Sequence, residues 1–241
     1  MTVPKLTIYN NIACPYANRV LIALQETQQE YELVDIDLKT PRPEYYLKEV
    51  NPYGEVPALK AADGNVILES LVIAEYLADS HPDANLLSKD PLQRAQSRYL
   101  IQHWTSRAQP AIAKASLALD SPAEEAKALD LAEAELEKVD ALLRQVNITK
   151  EGPYFLGAQF SYADLALAPF LARGYLLTAF HEEPVQKAWD ERLKANRNVQ
   201  RFLTWRQAVV ERPSVLKSTP SKEVVLEAYS TKFLKNRLQK K

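Results

Sequence analysis

Within the first 37 residues three patterns follow one another, and their order limits the fold more than any other feature of the chain. Lys5 to Asn10 is short and apolar, with β-branched Thr7 and Ile8, and reads as a strand. Residues 15–28 place Val20, Leu21, Ala23 and Leu24 at helical spacing. Tyr31 to Asp37 alternates at period two and reads as a second strand. Strand, helix, strand at this length predicts a βαβ unit with a parallel pair, because parallel strands need a crossover and a helix is the usual one.

The pattern then changes. Pro41-Arg42-Pro43 interrupts it, and residues 44–50 predict a short helix. Asn51-Pro52-Tyr53-Gly54 is a turn in which glycine can take a positive φ. Val56 to Lys60 reads as a strand opening with a proline, where the missing N–H costs no ladder hydrogen bond. Asp63-Gly64 is a hairpin signal leading into Val66-Ile67-Leu68. Glu69-Ser70 opens a helical pattern that ends at Ser80, before His81-Pro82. The expected order is β-α-β-α-β-β-α, an α+β domain of thioredoxin-like arrangement.

From Pro91 onward the sequence is nearly all helical. Two long patterns cover 91–118 and 123–146, and Gly152-Pro153 marks a loop. Ser161-Tyr162-Ala163-Asp164 opens a helix with a variant capping box, Ser161 and Asp164, and a hydrophobic staple, Phe160 and Leu165. Shorter helices are expected near 185–194 and 198–211. A last pattern at 221–237 runs into a basic tail of Lys232, Lys235, Arg237, Lys240 and Lys241. The charge supports a division near residue 80: residues 1–80 carry six basic and twelve acidic side chains, and the rest carry 24 basic and 19 acidic. The expected domains are 1–80, a polar linker 81–90, and an all-helical 91–241.

The overall net charge is −1, which gives no global signal for nucleic acid or a membrane surface. The opening residues, Met1 to Lys5, lack the apolar run of a secretory leader, and no apolar stretch approaches spanning length. A single cysteine excludes an intrachain disulfide framework. These features set the expectation of a cytoplasmic protein. No Cys/His metal spacing, Gly-rich phosphate loop or Ser/His/Asp set is present, so neither a metal nor a nucleotide is expected.

The lone cysteine stands where the first strand gives way to the first helix. A lone cysteine is ordinarily a small buried hydrophobe. Here Pro15 suits the first helical position, which puts Cys14 at the helix N-terminus. Unpaired backbone N–H groups and the positive end of the dipole favour thiolate there, and thiolate is the reactive form.

Four stretches together resemble a cytosolic glutathione transferase, most of all the omega class and its fungal relatives. They are Cys14-Pro15-Tyr16-Ala17-Asn18-Arg19, Asn51-Pro52-Tyr53-Gly54-Glu55-Val56-Pro57, Leu68-Glu69-Ser70 and Phe155 to Asp164. The resemblance spans nearly the whole chain and implies a glutathione transferase fold. It implies glutathione as cosubstrate, held by Tyr16, Arg42, Val56, Pro57, Glu69 and Ser70. In it Val56 offers main-chain hydrogen bonds to the cysteinyl part of glutathione, and Pro57 is cis; the residues alone favour a simple strand-start proline. Glu69 and Ser70 take the γ-glutamyl end, and Ser70 can also be an ordinary helix N-cap. Arg42 matches the family's lysine for the glycyl carboxylate, since each directly precedes Pro-Glu, although the loop here has one extra residue. Asn18 departs from the longer acid or amide often found at its position, and Arg19 reads as a structural ion-pair partner.

A cysteine in place of the family's Tyr or Ser points to a glutathione-dependent thiol transferase or reductase. With no second cysteine, Cys14 would cycle through a mixed disulfide with glutathione. The resemblance adds reduction of dehydroascorbate and of S-glutathionyl ketones. Two rivals stand beside this reading: a transferase that conjugates glutathione to electrophiles, and a non-catalytic ligand-binding or regulatory protein of the same fold. Tyr9 is a rival hydroxyl that reads as core. An acceptor pocket is expected between the domains, with His103, Trp104, Arg107, Arg173 and Tyr229 as candidates; Trp104 reads equally as core. Trp205 reads as core, and His103 and His181 as isolated histidines. The family is dimeric, so a homodimer is expected.

Overall fold

The computed structural model describes residues 5–146 and 152–234. Two compact units emerge: residues 5–84 with 213–234, and residues 85–146 with 152–212.

The first unit is built on a four-stranded sheet of β1 (Leu6–Asn10), β2 (Tyr31–Asp35), β3 (Ala58–Lys60) and β4 (Val66–Leu68), in the order β2-β1-β3-β4. β1 and β2 are parallel, and α1 (Pro15–Thr27) provides the crossover between them. β3 is antiparallel to β1 and to β4, as a hairpin requires. The second and third strands are shorter than their sequence patterns: β2 stops at Asp35 and β3 begins only after Pro57. Neighbouring residues on a strand face opposite ways. Ile8 and Leu59, paired across β1 and β3, therefore share one face, and Tyr9 and Ala58 share the other. Tyr9 and Ala58 join a cluster with Tyr46 of α2 (Glu44–Glu49), Val50, Ile36 and Val56, and Cys14 packs against that cluster. α1 packs on α3 (Ser70–Ser80).

The second unit is helical: α4 (Pro91–His103), α5 (Gln109–Ser116), α6 (Pro122–Val146), α7 (Tyr162–Ala172), α8 (Glu183–Ala195) and α9 (Gln200–Val210). The continuous helix expected over 91–118 is divided by a wide π turn, Trp104–Ala108. Pro110 explains the division, because it lacks an N–H and its ring collides with the carbonyl one turn earlier. α7 is buried on nearly every side, as a helix apolar all round must be, and it packs against α9.

The end of the chain departs from the expected domain plan. A short helix, α10 (Pro213–Ser218), has no counterpart among the expected elements, and α11 (Lys222–Tyr229) leads into a π turn, Ser230–Leu234. Both helices belong to the first unit rather than to the helical one. α10 packs on α1, where Ser214 Oγ donates to Glu26 at 2.5 Å, and Lys39 pairs with Glu227 of α11 at 3.0 Å. Of the basic tail, Lys232 lies in the π turn, while Lys235, Arg237, Lys240 and Lys241 fall outside the described residues.

Candidate functional site

The candidate site begins at the turn between β1 and α1. Asn11 organises that turn from both ends of its side chain. Its Nδ2 donates to the Ile36 carbonyl at 2.9 Å, and its Oδ1 accepts from Ala13 N at 3.2 Å. Its main-chain carbonyl accepts from Cys14 N at 2.9 Å. Cys14 is thereby fixed as the N-cap of α1 in extended conformation, with Pro15 following at the start of the helix. The cysteine is half-buried, and its Sγ lies 3.7 Å from the Val56 carbonyl oxygen. The Val56–Pro57 peptide bond is cis, as the resemblance implied. Tyr9, the rival hydroxyl, is in the core, and burial pushes its phenol up, away from the reactive anion.

The first turn of α3 carries the next two candidates. Glu69 is the N-cap, exposed, at φ +69°, a left-handed value that non-glycine residues seldom adopt. Ser70 is therefore the first helical residue and not the cap. Its Oγ accepts from Arg19 Nη1 at 3.2 Å. Arg19 is 2% exposed, and its guanidinium lies 5.3 Å from the centroid of the exposed Tyr16 ring. Arg19 thus connects α1 to the first turn of α3, a role that its reading as an ion-pair partner did not include. Asn18 is buried and bonds the Ile12 carbonyl at 3.4 Å, so it braces the Cys14 turn.

Arg42 makes main-chain contacts that the resemblance did not include. Its Nε donates to the Gly54 carbonyl at 2.9 Å, Nη1 to the Asp37 carbonyl at 2.8 Å, and Nη2 to the Leu38 carbonyl at 3.4 Å. The guanidinium is spent on tying the 37–40 loop to the 51–54 turn.

With this geometry in view, the comparisons with known proteins decide the family. The model for the glutathione S-transferase N-terminal domain matches residues 13–80, and that for the C-terminal domain matches residues 102–204. The chain belongs to the glutathione S-transferase family. It is 34% identical over 172 residues to a probable maleylacetoacetate isomerase of Caenorhabditis elegans, covering 70% of this chain and 77% of that protein. It is 28% identical over 194 residues to human glutathione S-transferase omega-2, covering 78% and 76%. The crystal structure of glutathione transferase Omega 1C from Trametes versicolor superposes with a TM-score of 0.79 at 29% identity, covering 96% of this chain and 98% of that one.

The candidate acceptor residues of this glutathione transferase each have surroundings of their own. Trp104 is 2% exposed and stacks on Phe202 at 6.5 Å, so it is core. Arg173 is also buried, with Nη1 3.4 Å from the Pro169 carbonyl. His103 is buried with Nε2 3.4 Å from Glu135, which pairs with Lys138 at 2.7 Å. Burial holds the His103 imidazole below its usual range, against the pull of Glu135. Arg107 is exposed on the π turn. Tyr229 belongs to the other unit, where it contacts the Phe233 ring at 4.7 Å. His181 is buried and bonds the Ala115 carbonyl at 2.9 Å, a structural tie.

The capping residue Asp164 has a larger role than its sequence signature gave. It is fully buried and accepts four hydrogen bonds: from Phe155 N at 2.9 Å, Ser161 N at 2.8 Å, Ser161 Oγ at 2.6 Å and Trp205 Nε1 at 2.6 Å. Burial pushes its carboxyl up in spite of these four donors. The capping box is present, and Trp205 is core as expected. Among the described residues no helix is long and apolar enough to cross a membrane.

Proposed function

We propose that this glutathione transferase is a one-cysteine thiol transferase or reductase. The observation that carries the reading is Cys14 itself: the only cysteine of the chain, at the N-cap of α1, with Sγ 3.7 Å from the Val56 carbonyl. The positive end of the helix dipole at that position favours thiolate. The thiolate attacks the glutathione sulfur of a glutathionylated substrate, the S–S bond breaks, and the substrate leaves as its thiolate. Cys14 retains glutathione as a mixed disulfide. A second glutathione thiolate attacks that disulfide, leaves as oxidised glutathione, and returns Cys14 as thiolate. With no second cysteine to resolve the intermediate, glutathione must do so.

Glutathione lies along the Val56 main chain in the manner of an added strand. Its γ-glutamyl end is held by Glu69 and by Ser70 at the first turn of α3, with Tyr16 alongside. The protein acts as a cytoplasmic homodimer, a reading supported by its cysteine usage and its family. One relative favours a second reading: the nematode protein is named a probable maleylacetoacetate isomerase, which supports isomerising or conjugating activity in place of disulfide chemistry.

Mild treatment with glutathione disulfide, followed by intact-mass measurement, tests the first reading. One glutathione is expected on Cys14, removed by excess reduced glutathione, and deglutathionylation is lost in Cys14→Ser. If Cys14 stays unmodified while the folded protein binds glutathione, the thiol-transferase reading is wrong. Retained conjugating or isomerising activity in Cys14→Ser selects the second reading.

A further inference from the structure

The chain immediately before Val56 is gripped at two successive carbonyls by side chains, two of them buried. The Gly54 carbonyl accepts from Arg42 Nε at 2.9 Å. The Glu55 carbonyl accepts twice, from Tyr46 Oη at 2.6 Å and from Asn51 Nδ2 at 2.9 Å. A carbonyl has two lone pairs, so both are used. Tyr46 is fully buried and its ring lies 5.3 Å from that of Tyr9, in the cluster against which Cys14 packs. Burial pushes the Tyr46 phenol up to about 12, so it remains a donor. Asn51 is equally committed: its Oδ1 accepts from Tyr53 N at 3.0 Å, and its main-chain carbonyl accepts from Gly54 N at 3.0 Å.

We propose that Tyr46 and Asn51 are positioning residues for glutathione, which by donating together to the Glu55 carbonyl hold the main chain of Val56 toward Cys14 Sγ. This rests on the reading that glutathione lies along Val56. Neither side chain need touch the ligand. Two donors from different elements, α2 and the turn after it, remove the freedom of the Glu55 peptide to rotate. The next main-chain groups, which the tripeptide would bond, are thereby set in advance of binding, and preorganisation of this kind appears in affinity.

Tyr46→Phe deletes one donor and keeps the ring contacts. Asn51→Asp keeps the acceptor for Tyr53 N and deletes the other donor. Calorimetric titration with reduced glutathione is expected to give a dissociation constant about fivefold weaker for Tyr46→Phe, the size of one net hydrogen bond. Asn51→Asp is expected to weaken binding at least as much. The KM for glutathione should rise in step while kcat stays within about twofold. A merely structural role would lower the melting temperature and leave the dissociation constant and KM unchanged, and that result in both variants overturns the proposal. Should one variant fail to fold, the other decides. Wild-type protein that does not bind glutathione refutes the underlying reading as well, whereas wild type and variants binding equally refute the positioning role alone.

Discussion

Asp164→Ala should be the most damaging single polar substitution in the helical unit. The carboxylate is fully buried and accepts from Phe155 N, Ser161 N, Ser161 Oγ and Trp205 Nε1. A hydrogen bond to a charged acceptor contributes about 1.5–3 kcal/mol. Four such terms cannot simply be summed, because the substitution also removes the desolvation cost that pushes this carboxyl up. What remains is four donors stripped of their acceptor in a dry site and the loss of a helix cap. Removing one partner of a buried charged network costs about 3–5 kcal/mol, and we expect about 4 kcal/mol here. Asp164→Asn retains one oxygen, and with it an acceptor for half of the donors, so about half of that loss is expected. Trp104, Trp189 and Trp205 all lie within residues 85–212, so tryptophan fluorescence in urea reports on this unit alone. The corresponding fall in melting temperature is about 8–16 °C. A loss below about 1 kcal/mol for Asp164→Ala with an unchanged denaturant slope would refute the reasoning.

Two further outcomes follow from the geometry. His103 has a folded pKa below its usual value, so between that value and about 6.5 the folded chain binds fewer protons than the unfolded one. Its contribution to stability is complete above about pH 6.5 and is lost as pH falls through the folded value. His103→Gln should accordingly flatten the dependence of melting temperature on pH between about 8 and 5, and an unchanged slope would show that the group does not titrate on unfolding. At Gly54, φ is +66° and an added Cβ would stand 3.0 Å from Arg42 Cγ. Gly54→Ala should destabilise the first unit by about 1–2 kcal/mol, seen in thermal unfolding by circular dichroism; an unchanged transition would show that the turn relaxes without cost.

Much of the architecture was legible because it depends on short-range patterns. A short run with β-branched Thr7 and Ile8 identified β1, alternation identified β2, and the Asp63-Gly64 signal identified the hairpin, because strand pattern and turn chemistry are local. The capping box at Ser161 and Asp164 was legible for the same reason. The contacts of Arg42 were not: nothing near it in sequence shows that its guanidinium will meet the Gly54 and Asp37 carbonyls. The role of Tyr46 was likewise hidden, since nothing near it in sequence shows that its hydroxyl will meet the Glu55 carbonyl. The break in 91–118 had a signal, Pro110, that helical periodicity outweighed.

The sequence by itself determined the order of elements in the first 80 residues, the place of Cys14 at a helix start, and the single-thiol character of any chemistry there. Backbone propensity, periodicity and residue count are properties of neighbours along the chain. Tertiary structure alone decided which side chains meet. It set Cys14 Sγ against the Val56 carbonyl, Arg19 against Ser70, and Trp205 Nε1 against Asp164. It also placed α10 and α11 with the first unit. These contacts join residues far apart in the chain, and they form because burying apolar faces of the sheet and helices leaves only certain polar groups within reach of one another.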